Sequence, residues 1–170
     1  MALSENIKNK IDEMRGNFPT EQALLLPLLH SIQEERGWIS LESMKEAAEF
    51  LHLPLMKVRE VVTFYTMYNQ RPVGKAHIQI CANISCWLKG ADHLIECAEK
   101  KLGIRPGETT ADGKFTLSEV ECLGACGTAP ALQMNEEYFE NLNPETLNSL
   151  IEKWSEEIDR GQNDLGKVKL

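Results

Sequence analysis

Four of the five cysteines in this 170-residue chain fall into two pairs. Cys81 and Cys86 are separated by four residues, Cys122 and Cys126 by three, and thirty-five residues lie between the pairs. Four thiolates delivered by two short loops meet the demand of a [2Fe-2S] cluster, which takes two sulfur ligands on each iron. Gly124, Ala125 and Gly127 keep the second loop free of bulk where its backbone would approach such a cluster, and backbone N–H groups are there to face the sulfides. Three other chemistries compete. Structural zinc also takes four cysteines, although its knuckles most often have two intervening residues. A thiol oxidoreductase would present Cys-x-x-Cys at a helix start, and neither pair has that spacing. Four buried structural cysteines are the third reading, but they would not need to fall in two strand-end pairs. Cys97 stands apart, inside a helical pattern beside Ala98, and reads as a small apolar packing residue.

The elements that must position these sulfurs can be read from the periodicity. Ala76–Cys81 reads as an Ile-containing strand, Trp87–Leu102 as a helix with Leu88, Ala91, Ile95, Ala98 and Leu102 inward, and Lys114–Glu121 as a second strand after the Asp112-Gly113 turn. Ala131–Met134 and Tyr138–Phe139 read as a hairpin around Asn135-Glu136. Asn143 and Pro144 open a last helix that buries Leu147, Leu150, Ile151, Trp154 and Ile158. One crossover between the first two strands makes them parallel neighbours, so both cysteine loops should leave the same edge of the sheet. Cys86 is then expected at the start of the crossover helix, where the helix N-terminus favours a thiolate.

The first seventy residues have another character. Ser4, Thr20 and Ser40 are placed to cap helices, Pro54 suits the first turn of a fourth, and Pro27 should bend or interrupt the second, which Gly37 closes. In the fourth, Val58, Val61, Val62 and Tyr65 repeat at the helical period. The Pro- and Gly-containing stretch Asn69–Lys75 separates the two halves. The expected organisation is therefore a helical bundle over 1–70, an α/β domain over 71–158 and a loose tail over 159–170.

Composition narrows the function classes. Acids outnumber Lys plus Arg by 26 to 18, a net charge of −8, and the basic residues form no stripe, which argues against a nucleic-acid partner. The longest apolar run, Ala23–Leu29, is far short of the roughly 20 residues a membrane span needs. The N-terminus has neither a secretory apolar core nor the acid-poor, Arg-rich look of a transit peptide, so a cytoplasmic protein is expected. Neither G-x-G-x-x-G after a strand nor a P-loop occurs, so nothing in the sequence announces a dinucleotide or phosphate site. His30, His52, His77 and His93 have no metal-ligand spacing, and none lies in a cysteine loop, which excludes the Rieske pattern.

The stretch VREVVTFYTMYNQRPVGKAHIQIC, the loop CANISCWLKG and the later ECLGACGTAP together resemble the thioredoxin-like [2Fe-2S] subunit of respiratory complex I, the E-type subunit of NADH-quinone oxidoreductase. LLPLLHSIQEERGWIS, from Leu25, resembles that family's helical N-terminal part, so the likeness runs over roughly residues 20 to 158. The resemblance implies an α/β fold, a thioredoxin-like ferredoxin domain behind a small helical bundle. It also implies one [2Fe-2S] cluster on Cys81, Cys86, Cys122 and Cys126, with no catalytic residue in this chain. It places the chain beside an FMN- and NADH-binding subunit and other peripheral-arm subunits, on the cytoplasmic face of the inner membrane without inserting into it. Single electrons would reach the cluster from the reduced flavin. Related subunits serve NAD-reducing hydrogenases and NAD-linked formate dehydrogenases, and a structural zinc module is the remaining alternative.

Within that frame Lys89 and the N–H groups of the first loop are expected to raise the cluster potential, and Glu121 to lower it. Trp87 is a candidate to shield the cluster, whereas Trp154 reads as core. Phe64, Tyr65 and Tyr68 read as packing residues, joining the halves or meeting the partner. A cis Ala129–Pro130 bond is expected at the start of the third strand, as in thioredoxin-like folds.

Overall fold

The computed structural model describes residues 3–161 of the chain. They divide between Pro72 and Val73 into two compact units. Residues 162–170, most of the tail expected to be loose, lie outside the described residues, and Asp159 still belongs to the last helix.

In the first unit Ser4 accepts the Ile7 N–H and caps α1 (Glu5–Met14), and Ser40 accepts the Ser43 N–H and caps α3 (Leu41–Phe50). Thr20 caps a single 3-10 turn, Glu21–Leu24, rather than an α-helix, and α2 (Leu25–Arg36) starts after it. Pro27 therefore sits in the first turn of α2. It does not interrupt the helix, because the N–H it lacks has no intrahelical partner there. Pro54 lies just ahead of α4 (Leu55–Phe64). The four helices bury Ile11, Leu28, Leu29, Ile32, Leu51 and Val62 around one core. Each such side chain contributes about 1.5–3 kcal/mol when fully removed from water. Of the aromatic trio only Tyr68 joins this core: its hydroxyl donates to the Leu26 carbonyl at 3.1 Å and burial pushes its phenol up to about 12. Phe64 and Tyr65 are exposed.

The second unit contains β1 (Ala76–Cys81), α5 (Ile84–Leu88), α6 (Ala91–Leu102), β2 (Phe115–Val120), β3 (Leu132–Met134), β4 (Glu137–Phe139) and α7 (Pro144–Asp159). The strands form one sheet in the order β2-β1-β3-β4. β1 and β2 run parallel, while β3 is antiparallel to both β1 and β4. Ala76, Ile78 and Ile80 point from β1 into a core shared with Leu94 and Ala98 of α6 and with Leu147, Ile151 and Trp154 of α7. Trp154 is buried edge-on to Phe139, with ring centroids 5.2 Å apart. Asn143 caps α7 through a reciprocal pair of bonds with Thr146. The Ala129–Pro130 peptide bond is cis, as expected.

The crossover departs from the sequence expectation. In place of one helix over 87–102 there are two, because Gly90 adopts φ +91°, a left-handed conformation that ends the first and that residues with a Cβ avoid. Leu88, expected to face inward, is 71% exposed.

On the sheet face away from α6 and α7, His77 Nε2 lies 2.8 Å from Ser118 Oγ, and burial holds the imidazole down at about 4 against an ordinary 6.5. The ring is neutral at neutral pH in both folded and unfolded chain. Below about pH 6.5 the unfolded chain takes a proton that the folded chain refuses until about pH 4, so stability falls across that window. In urea unfolding of the metal-free protein, His77→Gln is expected to remove an acid-dependent loss of roughly 2–3 kcal/mol. Equal acid losses in the variant and the parent would show that His77 does not cause it.

Candidate metal centre

The parallel pairing of β1 and β2 sets the geometry of the site. Cys81, the last residue of β1, pairs in register with Val120, the last residue of β2. Both chains leave the sheet at that end, and Cys122 follows Val120 by two residues. β3 enters from the same end, and its preceding residue, Ala131, accepts the Cys81 N–H at 3.1 Å. Pro130 and the cis bond thus lie beside the first cysteine loop.

Within that loop Asn83 caps α5, a helix of only five residues, and Cys86 is its third residue. The expectation that Cys86 stands at the start of the long crossover helix is therefore corrected: that N-terminus is at Ala91, beyond the Gly90 break. Cys81 and Cys86 are buried and pack with Ala91 and Ala131, with Leu123, Ala125 and Ala129 partly buried against them. Burial pushes the Cys86 thiol up, and a hydrogen bond with Cys81 pushes it the same way, while the Ala131 backbone bond opposes them. Leu123 and Ala125 belong to the second loop, so that loop packs against the first pair.

In the second loop Cys122 and Cys126 are exposed, with Sγ atoms 3.6 Å apart, and the Gly124 N–H donates to Cys122 Sγ at 3.4 Å. Gly124 has φ +82°, which accounts for the glycine by backbone conformation. Gly127 has no such φ, and a Cβ there would meet nothing within 4 Å, so nothing inside the described chain requires a glycine at that position.

The sulfurs thus stand as a buried pair and an exposed pair at one end of the sheet. Among the described residues, no three His, Cys, Asp or Glu side chains close around a point that could hold a single metal ion. Two thiolates side by side in the buried pair would repel each other in a weakly polar setting, and a positive centre bound by both relieves that cost. Metal binding supplies such a centre and displaces the thiol protons. The donor set, two pairs of soft ligands with the Gly124 N–H on Cys122, fits a two-iron cluster.

A family model described as thioredoxin-like [2Fe-2S] ferredoxin matches residues 11–155. The chain belongs to that family. It is 46% identical over 160 residues to the E-type subunit of NADH-quinone oxidoreductase from Rickettsia prowazekii (strain Madrid E), covering 92% of this chain and 90% of the relative. It is 39% identical over 148 residues to an E-type subunit of NADH-quinone oxidoreductase from Rhizobium meliloti (strain 1021), covering 87% and 88%. Among solved structures, an H2-reduced NAD+-reducing [NiFe]-hydrogenase superimposes with a TM-score of 0.69 at 23% identity. That match covers 85% of this chain but only 25% of the hydrogenase chain, and it establishes the shared fold.

The remaining sequence candidates fall outside the sulfur cluster. Cys97 is half-buried against the core of the second unit, its thiol 3.8 Å from the Pro144 carbonyl, in agreement with a packing role. Lys89 is exposed at the end of α5. Trp87 does not shield the sulfurs within this chain: it is 55% exposed and shares the outer side of α5 with Ile84 and Leu88. Two features escaped sequence reasoning, the Gly90 break and the bond from Asn83 Nδ2 to Glu121 Oε2 at 3.0 Å. A glycine four residues after Cys86 was the available signal for the first.

The glycines of the second loop give a direct contrast. Gly124→Ala is expected to cost the metal-free chain about 1–2 kcal/mol through its left-handed φ, whereas Gly127→Ala should be close to neutral. Thermal unfolding of the two variants checks this, and equal effects would contradict it.

Proposed function

We propose that Cys81, Cys86, Cys122 and Cys126 hold one [2Fe-2S] cluster, and that the chain serves as an electron-transfer subunit of an NADH-quinone oxidoreductase, next to the subunit that binds FMN and NADH. The observation that carries this reading is the convergence of the two cysteine loops at one end of the sheet through the Cys81–Val120 register. The E-type relatives are matched over nearly their whole length, which favours complex I as the host. The structural match to an NAD+-reducing hydrogenase supports a second reading, the equivalent subunit of such an enzyme. Among the described residues no helix is long and apolar enough to cross a membrane, so attachment at the cytoplasmic face would rest on protein contacts.

When bound, the cluster supplies one-electron acceptance and release. The chain's own residues set where that happens and at what potential. Hydrogen bonds to the sulfurs favour the form with more negative charge, and the Gly124 N–H on Cys122 acts in that direction. Burial of Cys81 and Cys86 against Ala91 and Ala131 excludes water on the inner side. The exposed Cys122 and Cys126 leave the outer side open to a donor. Beside them α5 carries an outward apolar face of Ile84, Trp87 and Leu88, exposed by 70%, 55% and 71%. This face belongs to the first cysteine loop, and an apolar partner surface seated on it would bring a flavin close to the sulfurs.

Two experiments test the assignment. Iron and acid-labile sulfide analysis should give two of each per chain, lost when any one of the four cysteines becomes serine and kept in Cys97→Ser. Colourless protein with one zinc would refute the cluster. Separately, Leu88→Glu should weaken association with the flavin-bearing subunit by about tenfold or more while leaving iron content unchanged. Undiminished association would remove α5 from the interface.

A further inference from the structure

The backbone ladder between β1 and β2 reaches its last bond where the Ala82 N–H donates to the Val120 carbonyl at 3.0 Å. The next link across the gap is made by side chains. Asn83 donates from Nδ2 to Glu121 Oε2 at 3.0 Å, while its Oδ1 accepts the Ile84 N–H at 2.9 Å and caps α5. Asn83 lies between Cys81 and Cys86, and Glu121 immediately precedes Cys122. A single side chain therefore starts the helical turn that presents Cys86 and grips the residue that leads into the second pair.

We infer that Asn83 is a positioning residue, and that its bond to Glu121 is a clasp that fixes the spacing between the two cysteine pairs. The inference rests on the proposal that these cysteines share one cluster. An amide suits the position because it offers an acceptor for the cap and a donor for the carboxylate at once. Serine would keep the cap without reaching across, and aspartate would keep the cap but set a second carboxylate against Glu121. An exposed bond of this kind adds little to global stability. Its leverage is geometric, because ligands on two separate loops must be held within about half an ångström of their working positions.

The test uses the full chain as Asn83→Ser, Asn83→Asp and the double variant Asn83→Asp/Glu121→Gln. The double variant has the same charge as the parent and reverses the polarity of the clasp, with the amide at 121 donating to the carboxylate at 83. Stripping of iron by a chelator, followed as loss of visible absorbance, should be about tenfold faster in both single variants and should return near the parent rate in the double. Unchanged rates in the single variants, or no recovery in the double, would overturn the clasp. Hydrogen exchange of the metal-free chain gives an independent reading. Asn83→Asp should speed exchange in both loops, 82–86 and 122–126, whereas acceleration confined to the first loop would reduce Asn83 to a helix cap. A parent chain that carries no iron and sulfide would remove the cluster assignment, and the exchange measurement would still decide whether the loops are clasped.

Discussion

The candidate centre depends on the parallel pairing of β1 with β2. A parallel pair joined by a crossover delivers the ends of both strands to one edge, and the register of Cys81 with Val120 makes those ends level. A slip of one residue would reverse which face each side chain meets and move Cys122 relative to Cys81. The register is held because Ala76, Ile78 and Ile80 of β1 must face α6 and α7 together with Phe115 and Leu117 of β2. The apolar core of the second unit thus sets the position of the sulfurs although none of the four cysteines belongs to it.

The two pairs sit in different surroundings, and the difference has a chemical use. Cys81 and Cys86 lie among alanines and are closed off from water, whereas Cys122 and Cys126 stand in solvent on a glycine-containing loop. A redox centre built this way is anchored on one side and approachable on the other. The exposed apolar residues of α5 belong to the same loop as Cys86, and α5 ends before the left-handed Gly90.

Membership of the thioredoxin-like [2Fe-2S] ferredoxin family and near full-length similarity to E-type subunits of NADH-quinone oxidoreductase agree with this division. The chain supplies a fold and four thiols, and the proposed reading leaves nicotinamide and flavin chemistry to a neighbouring subunit. At the proposed site the chain would contribute solvent exclusion and hydrogen bonds to sulfur, which together with net charge and cluster type tune an iron–sulfur potential.

Local patterns in the sequence determined most of the elements. Ser4, Ser40 and Asn143 cap the helices they were expected to cap, β1 spans Ala76–Cys81, and the cysteine spacing identified the candidate ligands, because capping, periodicity and metal-ligand chemistry act over a few residues. Only the tertiary structure decided how competing local signals were resolved and which distant residues met. Pro27 was harmless because a 3-10 turn moved the start of α2, Trp87 faced outward on a crossover that broke at Gly90, and Asn83 met Glu121 thirty-eight positions away. A capping asparagine and an exposed glutamate carry no mark of their pairing, since the bond between them exists only once the two strands have been laid side by side.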